Sequence, residues 1–141
     1  MILPDVNVLL YAFRTDSVDH PAYRAWLEEL VTGDEAYGMS PQVLCSVVRV
    51  STHPRIYVKP TRLGDALGFA RALLEQPTCN VIQPGRRHWS IFENLSRRAS
   101  AFGNLVQDAW LAALAIESGC EWITTDRDYA RFPGLRWRPP F

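Results

Sequence analysis

Residues 1–13 read MILPDVNVLLYAF, and this stretch decides the fold. Without Asp5, Val6 and Asn7 it is a continuous apolar run. The residues before Asp5, "ILP", read as a short buried strand; "VNVLLYAF" after it reads as a helix. A strand that stops at an acid and turns at once into a helix is the opening half of a βαβ unit.

The rest of the chain repeats that alternation. Residues 16–33 carry Tyr23, Trp26, Leu27 and Leu30 at helical spacing, with Gly33 as terminator. "EAYGM" (35–39) reads as a second strand. Residues 40–51 open with Ser40 as N-cap and Pro41 at the first helical position. Residues 52–60, "THPRIYVKP", read as a loop, and residues 61–76 as a helix capped by Thr61. "CNVIQP" (79–84) is a third strand, residues 86–100 an amphipathic helix, and residues 104–119 the clearest helix. That last helix has Asn104 as cap, Gln107 three residues on, and Gly119 as its stop. "CEWITT" (120–125) is a fourth strand, "DRDYARF" follows, and a last short strand falls near "LRWR" (135–138). Alternating short strands and helices predict a parallel sheet covered on both faces.

Composition narrows the class. The 141 residues suit one domain spanning 1–141, long enough to bury ~68% of the unfolded surface. Fifteen basic residues balance fifteen acidic ones, so no global field marks a nucleic-acid binder, although a local basic rim is compatible with an acidic pocket. Lys59 is the only lysine. Cys45, Cys79 and Cys120 are widely spaced, with no CxxC, which argues against a zinc site or a disulfide framework. The N-terminus lacks a basic segment and its apolar run is cut by Asp5, unlike a signal peptide. No run reaches the ~20 apolar residues of a membrane span. A reduced, cytoplasmic setting with no membrane partner is the expectation.

Ligands of parallel sheets bind beyond the carboxyl ends of the strands. Asp5 directly follows the first strand; Asp126 and Asp128 follow the fourth. Asp108 lies on the 104–119 helix, where it and Gln107 are the only polar residues between Leu105 and Ile116. A helix apolar all round is expected to be buried, and a buried carboxylate needs compensation. No lysine or histidine lies on or next to that helix, and Arg127 is flanked by two acids. Converging carboxylates without matched cations suit a hard divalent ion such as Mg²⁺ or Mn²⁺, and with it phosphodiester hydrolysis. Plainer readings stand beside this one. Asp5 caps the next helix, Asn7 makes a local turn bond or orients Asp5, Asp126 and Asp128 are turn residues, and Thr124 fills a strand position. Glu28, Glu29, Glu35 and Glu117 read as solvated charges.

With "LPDVNVLLYAF", "SPQVLCSVVRVSTHPRIY", "NLVQDAWLAALAIE" and "TTDRDYARFPGLRW" in this order, the chain resembles the PIN-domain family, specifically the VapC-type ribonuclease toxins of toxin–antitoxin pairs. The resemblance spans nearly the whole chain. It implies a three-layer α/β/α sandwich with a mostly parallel sheet, single-strand RNA cleavage dependent on Mg²⁺ or Mn²⁺, a homodimer, and a cognate antitoxin protein. It places metal-binding acids on Asp5, Asp108 and Asp126, an orienting hydroxyl on Thr124, and an occasional extra acid on Asp128. One position departs: the family usually has a glutamate three residues before the arginine matched by Arg49. Here that residue is Ser46, and no acid occurs between Glu35 and Asp65. Ser46 can hold a metal-bound water but supplies no charge, which leaves three outcomes: a weaker metal site, reliance on Asp128, or a PIN-like binding module without catalysis. Arg14, Arg49, His53 and Arg55 are candidate RNA contacts, with Tyr57 as a stacking surface; ordinary loop packing is the alternative. A receiver-like or dehalogenase-like phosphoryl-transfer domain also places an Asp after its first strand. It normally needs a lysine after a later strand to neutralise the phosphoryl group, and Lys59 is poorly placed for the role.

Overall fold

The structure, a computed structural model, describes residues 1–141. In chain order its elements are β1 (Ile2–Pro4), α1 (Val6–Phe13), α2 (His20–Thr32), β2 (Tyr37–Met39), α3 (Pro41–Ser51), α4 (Leu63–Leu74), β3 (Cys79–Val81), α5 (His88–Arg98), α6 (Asn104–Ser118), β4 (Glu121–Ile123), a 3₁₀ turn (Arg127–Arg131) and β5 (Trp137–Arg138). Every ladder is parallel: β1 with β4, β4 with β5, and β2 with β3. The strands β1 and β2 lie side by side, so the spatial order is β3-β2-β1-β4-β5. Gly38 permits that approach, because a Cβ there would sit 2.9 Å from the Ile82 side chain and 3.4 Å from the Ile2 carbonyl.

This order has a consequence. From β1 the chain steps outward through β2 to β3, then returns past its start to β4 and β5. Right-handed crossovers put the first set of connections on one face and the second on the other. The packing agrees: α1 contacts both α2 and α3, α3 contacts α4, and α5 pairs with α6. This is the three-layer sandwich the sequence implied. The direction reverses between β1 and β4, where the crevice of an open α/β sheet forms. Asp5 directly follows β1, and Asp126 lies three residues beyond β4, which ends at Ile123 and not at Thr125 as the sequence suggested.

Leu3, Tyr37, Met39, Trp122 and Ile123 of the strands are fully buried, and Ala109, Ala112, Ala113 and Ala115 bring α6 in close. The helix is not buried all round, however. Val106 and Gln107 in its first turn are exposed, and Asp108 is half-buried. Gly103, at φ 57°, takes the cap position in place of Asn104, and no side chain caps the helix. Ser40 occupies the cap position of α3 without a side-chain bond, and Arg62 rather than Thr61 precedes α4.

Two polar side chains have structural roles that their sequence context conceals. Glu117 accepts bonds from the Gly85 and Arg87 amides at 2.7 and 2.9 Å, tying the segment before α5 to α6. Burial works to raise its pKa, but those amide bonds outweigh it and hold the carboxyl below its ordinary value. Arg14 is 8% exposed, so it is not free to grip RNA. Its guanidinium makes a two-bond pair with Asp16 (2.9 and 2.7 Å) and donates to the Lys59 carbonyl and the Thr61 hydroxyl, both at 3.0 Å, and to the Ser51 carbonyl at 3.4 Å. It also lies 3.5 Å from the centre of the Tyr57 ring, occupying one face of it. Arginine suits this work because its planar fork serves several acceptors at once. Arg14 therefore anchors residues 52–62 to the end of α1.

Arg14→Ala leaves those acceptors without their donor. The expected cost is on the order of 2–4 kcal/mol of stability, read as a lower urea midpoint with the fold retained.

Candidate metal centre

The site assembles from chain ends that the topology brings together. Asp5 terminates β1 and caps α1: its Oδ1 accepts from the Val6 amide at 2.7 Å. Its Oδ2 accepts from the Thr124 hydroxyl, also at 2.7 Å. Thr124 is fully buried just after β4, and its oxygen accepts in turn from Asn7 Nδ2 (3.2 Å) and the Asp126 amide (3.0 Å). One hydroxyl thus joins the ends of β1 and β4 and the first turn of α1. Asn7 acts through Thr124 and makes no side-chain hydrogen bond to Asp5. Asp126 Oδ1 caps the 3₁₀ turn by accepting from the Asp128 amide at 2.9 Å. The capping role foreseen for Asp5 and the turn role foreseen for Asp126 are both present, and they fix these carboxylates at the pocket.

The pocket, about 470 Å³, is lined by Asp5, Asn7, Ser46, Arg49, Asp108, Asp126 and Asp128 among others. Asn104 and Gln107, which do not cap α6, are among the residues that line the pocket. Val6, Leu10 and Leu111 supply its apolar wall. Tyr129 lines it too, a residue no sequence signal singled out: its ring is buried beside Trp122 and Phe132 while its hydroxyl lies 3.4 Å from Asp108 Oδ1. Of the proposed RNA contacts, only Arg49 lines the pocket. His53 Nδ1 accepts from the Arg55 amide, a loop-internal bond, and the Arg55 side chain is exposed. Lys59 lines a different hollow beside Phe13 and Asp65, so the phosphoryl-transfer reading lacks its lysine.

Four aspartates share this pocket with one cation, Arg49. None of Asp5, Asp108 and Asp126 is in a salt bridge; Asp128 alone reaches a base, Arg131, at 3.4 Å on the exposed side. Asp5 is 6% exposed, and burial pushes its pKa up to about 6 against the bonds from Thr124 and Val6, with Asp108 and Asp126 adding repulsion. Asp108 is also raised to about 6, first by burial and then by Asp126. Burial above all, and then the three acids, drive the Tyr129 phenol far above its ordinary value, so it remains a proton donor.

The donor set is all oxygen, and Asn7 Oδ1 is a buried acceptor with no protein partner. Both features fit a hard divalent ion. As the side chains stand, no three acids enclose a single point. Asp5 is held by its two bonds and Asp126 by the turn it caps, whereas Asp108 and Asp128 lie nearer solvent and have more freedom to move.

A PIN-domain family model matches residues 2–135. This chain is a PIN-domain protein of the VapC type. Ribonuclease VapC43 of Mycobacterium tuberculosis is 44% identical over 140 residues, covering 99% of this chain and 95% of the relative. Ribonuclease VapC25 of the same organism is 39% identical over 141 residues, 99% of each. Among solved structures, VapBC2 from Rickettsia felis, bound to a DNA fragment from its promoter, superposes with a TM-score of 0.71 at 20% identity, over 99% of this chain and 98% of that one. Mycobacterium tuberculosis VapC20, a Sarcin-Ricin loop cleaving toxin, gives 0.65 at 16% identity, over 96% and 99%. The fold and its connectivity are therefore those of VapC proteins. No helix is long and apolar enough to cross a membrane.

The raised pKa of Asp5 carries a definite pH sign. A folded pKa near 6 against an unfolded value near 4 means the folded state holds the proton more tightly across that window. Metal-free protein is expected to be most stable toward pH 4 from this group and to lose stability as pH rises through 6. Asp5→Asn removes that loss and should be more stable than the native chain at pH 7 with chelator present, by on the order of 1–3 kcal/mol. Denaturant melts at pH 5 and pH 7 check this; a less stable variant at pH 7 marks Asp5 as mainly structural.

Proposed function

We propose that this protein is a divalent-metal-dependent endoribonuclease, the toxin of a toxin–antitoxin pair, with the whole chain forming one PIN domain. The observation that carries this reading is the meeting of Asp5, Asp108, Asp126 and Asp128 in one cleft at the β1/β4 reversal, with two of them held near pKa 6. The curated relatives that match over the full chain are named ribonucleases, which supports the same chemistry.

In this reading Asp5, Asp108 and Asp126 hold Mg²⁺ or Mn²⁺, and Asp128 supplies the charge that Ser46 does not. When bound, the ion lowers the pKa of a coordinated water and offsets charge on the phosphate. The chain's own residues do the rest. Thr124 holds Asp5 in one orientation, which joins the two strand ends, and its oxygen accepts the Asp126 amide, which fixes the start of the following turn. Ser46, buried at the pocket wall, offers a hydroxyl to a water but no charge. Arg49, the only basic side chain lining the pocket, is placed to bind a phosphate of single-stranded RNA as a planar two-bond donor. A cognate antitoxin protein restrains the activity, and the active unit is a homodimer.

Purified protein with Mn²⁺ is expected to cleave single-stranded RNA, and Asp108→Asn to lose more than ~100-fold of the rate. Equal cleavage by that variant removes the assignment. Ser46 also suits a binding module that keeps the fold without the chemistry. In that case calorimetry detects no metal binding to the native chain.

A further inference from the structure

Thr124 binds three of the site's parts into one network: Asp5, Asn7 and the Asp126 backbone. Asp108 stands outside it. It projects from α6, the helix opposite, and its only side-chain partner is Tyr129, whose hydroxyl meets Oδ1 at 3.4 Å. Tyr129 belongs to the turn that Asp126 caps, three residues after it. Its hydroxyl is thus the one side-chain bond joining the α6 acid to the strand-end acids.

The ring does not need that hydroxyl. Tyr129 is 1% exposed and packs 5.4 Å from Trp122 and 5.9 Å from Phe132, centre to centre, a setting a phenylalanine fills equally well. The hydroxyl is the one polar part of a deeply packed side chain, and it emerges at the acidic pocket. It serves one carboxylate oxygen, leaving Oδ2 of Asp108 for the pocket.

We propose that Tyr129 is a positioning residue: its hydroxyl orients Asp108 toward the ion and couples that acid to the Asp126 turn. This inference rests on the metal-site reading above. A bonded carboxylate has fewer orientations to lose on binding, so the hydroxyl acts on metal affinity more than on turnover.

The test is Tyr129→Phe, with Mn²⁺ alone as the probe. Calorimetry should show Mn²⁺ affinity about 10-fold weaker than in the native chain, and the melting temperature in chelator should move by no more than ~2 °C. In RNA cleavage, the Mn²⁺ concentration for half-maximal rate should rise about 10-fold, with the rate at saturating Mn²⁺ within about threefold. A purely structural tyrosine does not produce that split. Mn²⁺ affinity within twofold of native overturns the proposal. So does a variant that fails to fold, which makes the hydroxyl a stability device. If the native chain itself binds no Mn²⁺, the metal-site reading has failed before the variants are compared.

Discussion

A carboxylate buried at the end of β1 sets the terms for the rest of this structure. Asp5 accepts two hydrogen bonds and meets no cation, and its pKa is raised to about 6. Two bonds are enough to place it and too few to offset burial beside two other acids. The fold keeps the position because the end of β1 lies at the reversal in strand order. Moving the acid one residue along the strand would turn it toward the opposite face of the sheet.

Each neighbouring feature follows from holding that charge in place. Thr124 spends its proton on Asp5 and both its acceptor sites on the residues that flank the cleft. Asp126 is fixed by the turn it caps, so its position depends on backbone geometry and little on side-chain freedom. The alanines of α6 bring that helix close to the sheet and carry Asp108 to the pocket rim. Arg14, far from any acid of the site, works on a separate problem: it secures the 52–62 loop beyond α3, the helix that contributes Ser46 and Arg49. The result is a rigid frame around a cleft whose charges do not balance among themselves.

Features governed by local pattern were legible in the sequence. The strand–helix alternation, the acids at two strand ends and the parallel sheet all followed from short-range spacing, and the resemblance of four segments supplied the family. Features that depend on partners distant in sequence were not legible. Arg14 followed a helix beside a candidate mouth, and nothing local revealed that residues 51, 57, 59 and 61 would enclose it. Glu117 looked solvated because its acceptor role depends on amides about thirty residues earlier. Asp108 was expected to be buried because its helix is apolar, yet the first turn projects past the sheet and leaves the acid half-exposed. Tyr129 gave no signal, since an aromatic in a turn reads as packing until its hydroxyl is seen against a carboxylate.

If the cleft is a metal site, a divalent ion offsets the cost of holding these carboxylates, burial above all and then their mutual repulsion. Thermal unfolding at pH 7 with increasing Mn²⁺ tests it most directly. At an ion concentration about 100 times the dissociation constant, binding to the folded state alone contributes ~2.7 kcal/mol, a rise in melting temperature of roughly 5–10 °C. That rise is expected in the native chain and is lost in Asp5→Asn. A melting temperature indifferent to Mn²⁺ in the native chain, or an equal rise in the variant, would contradict it.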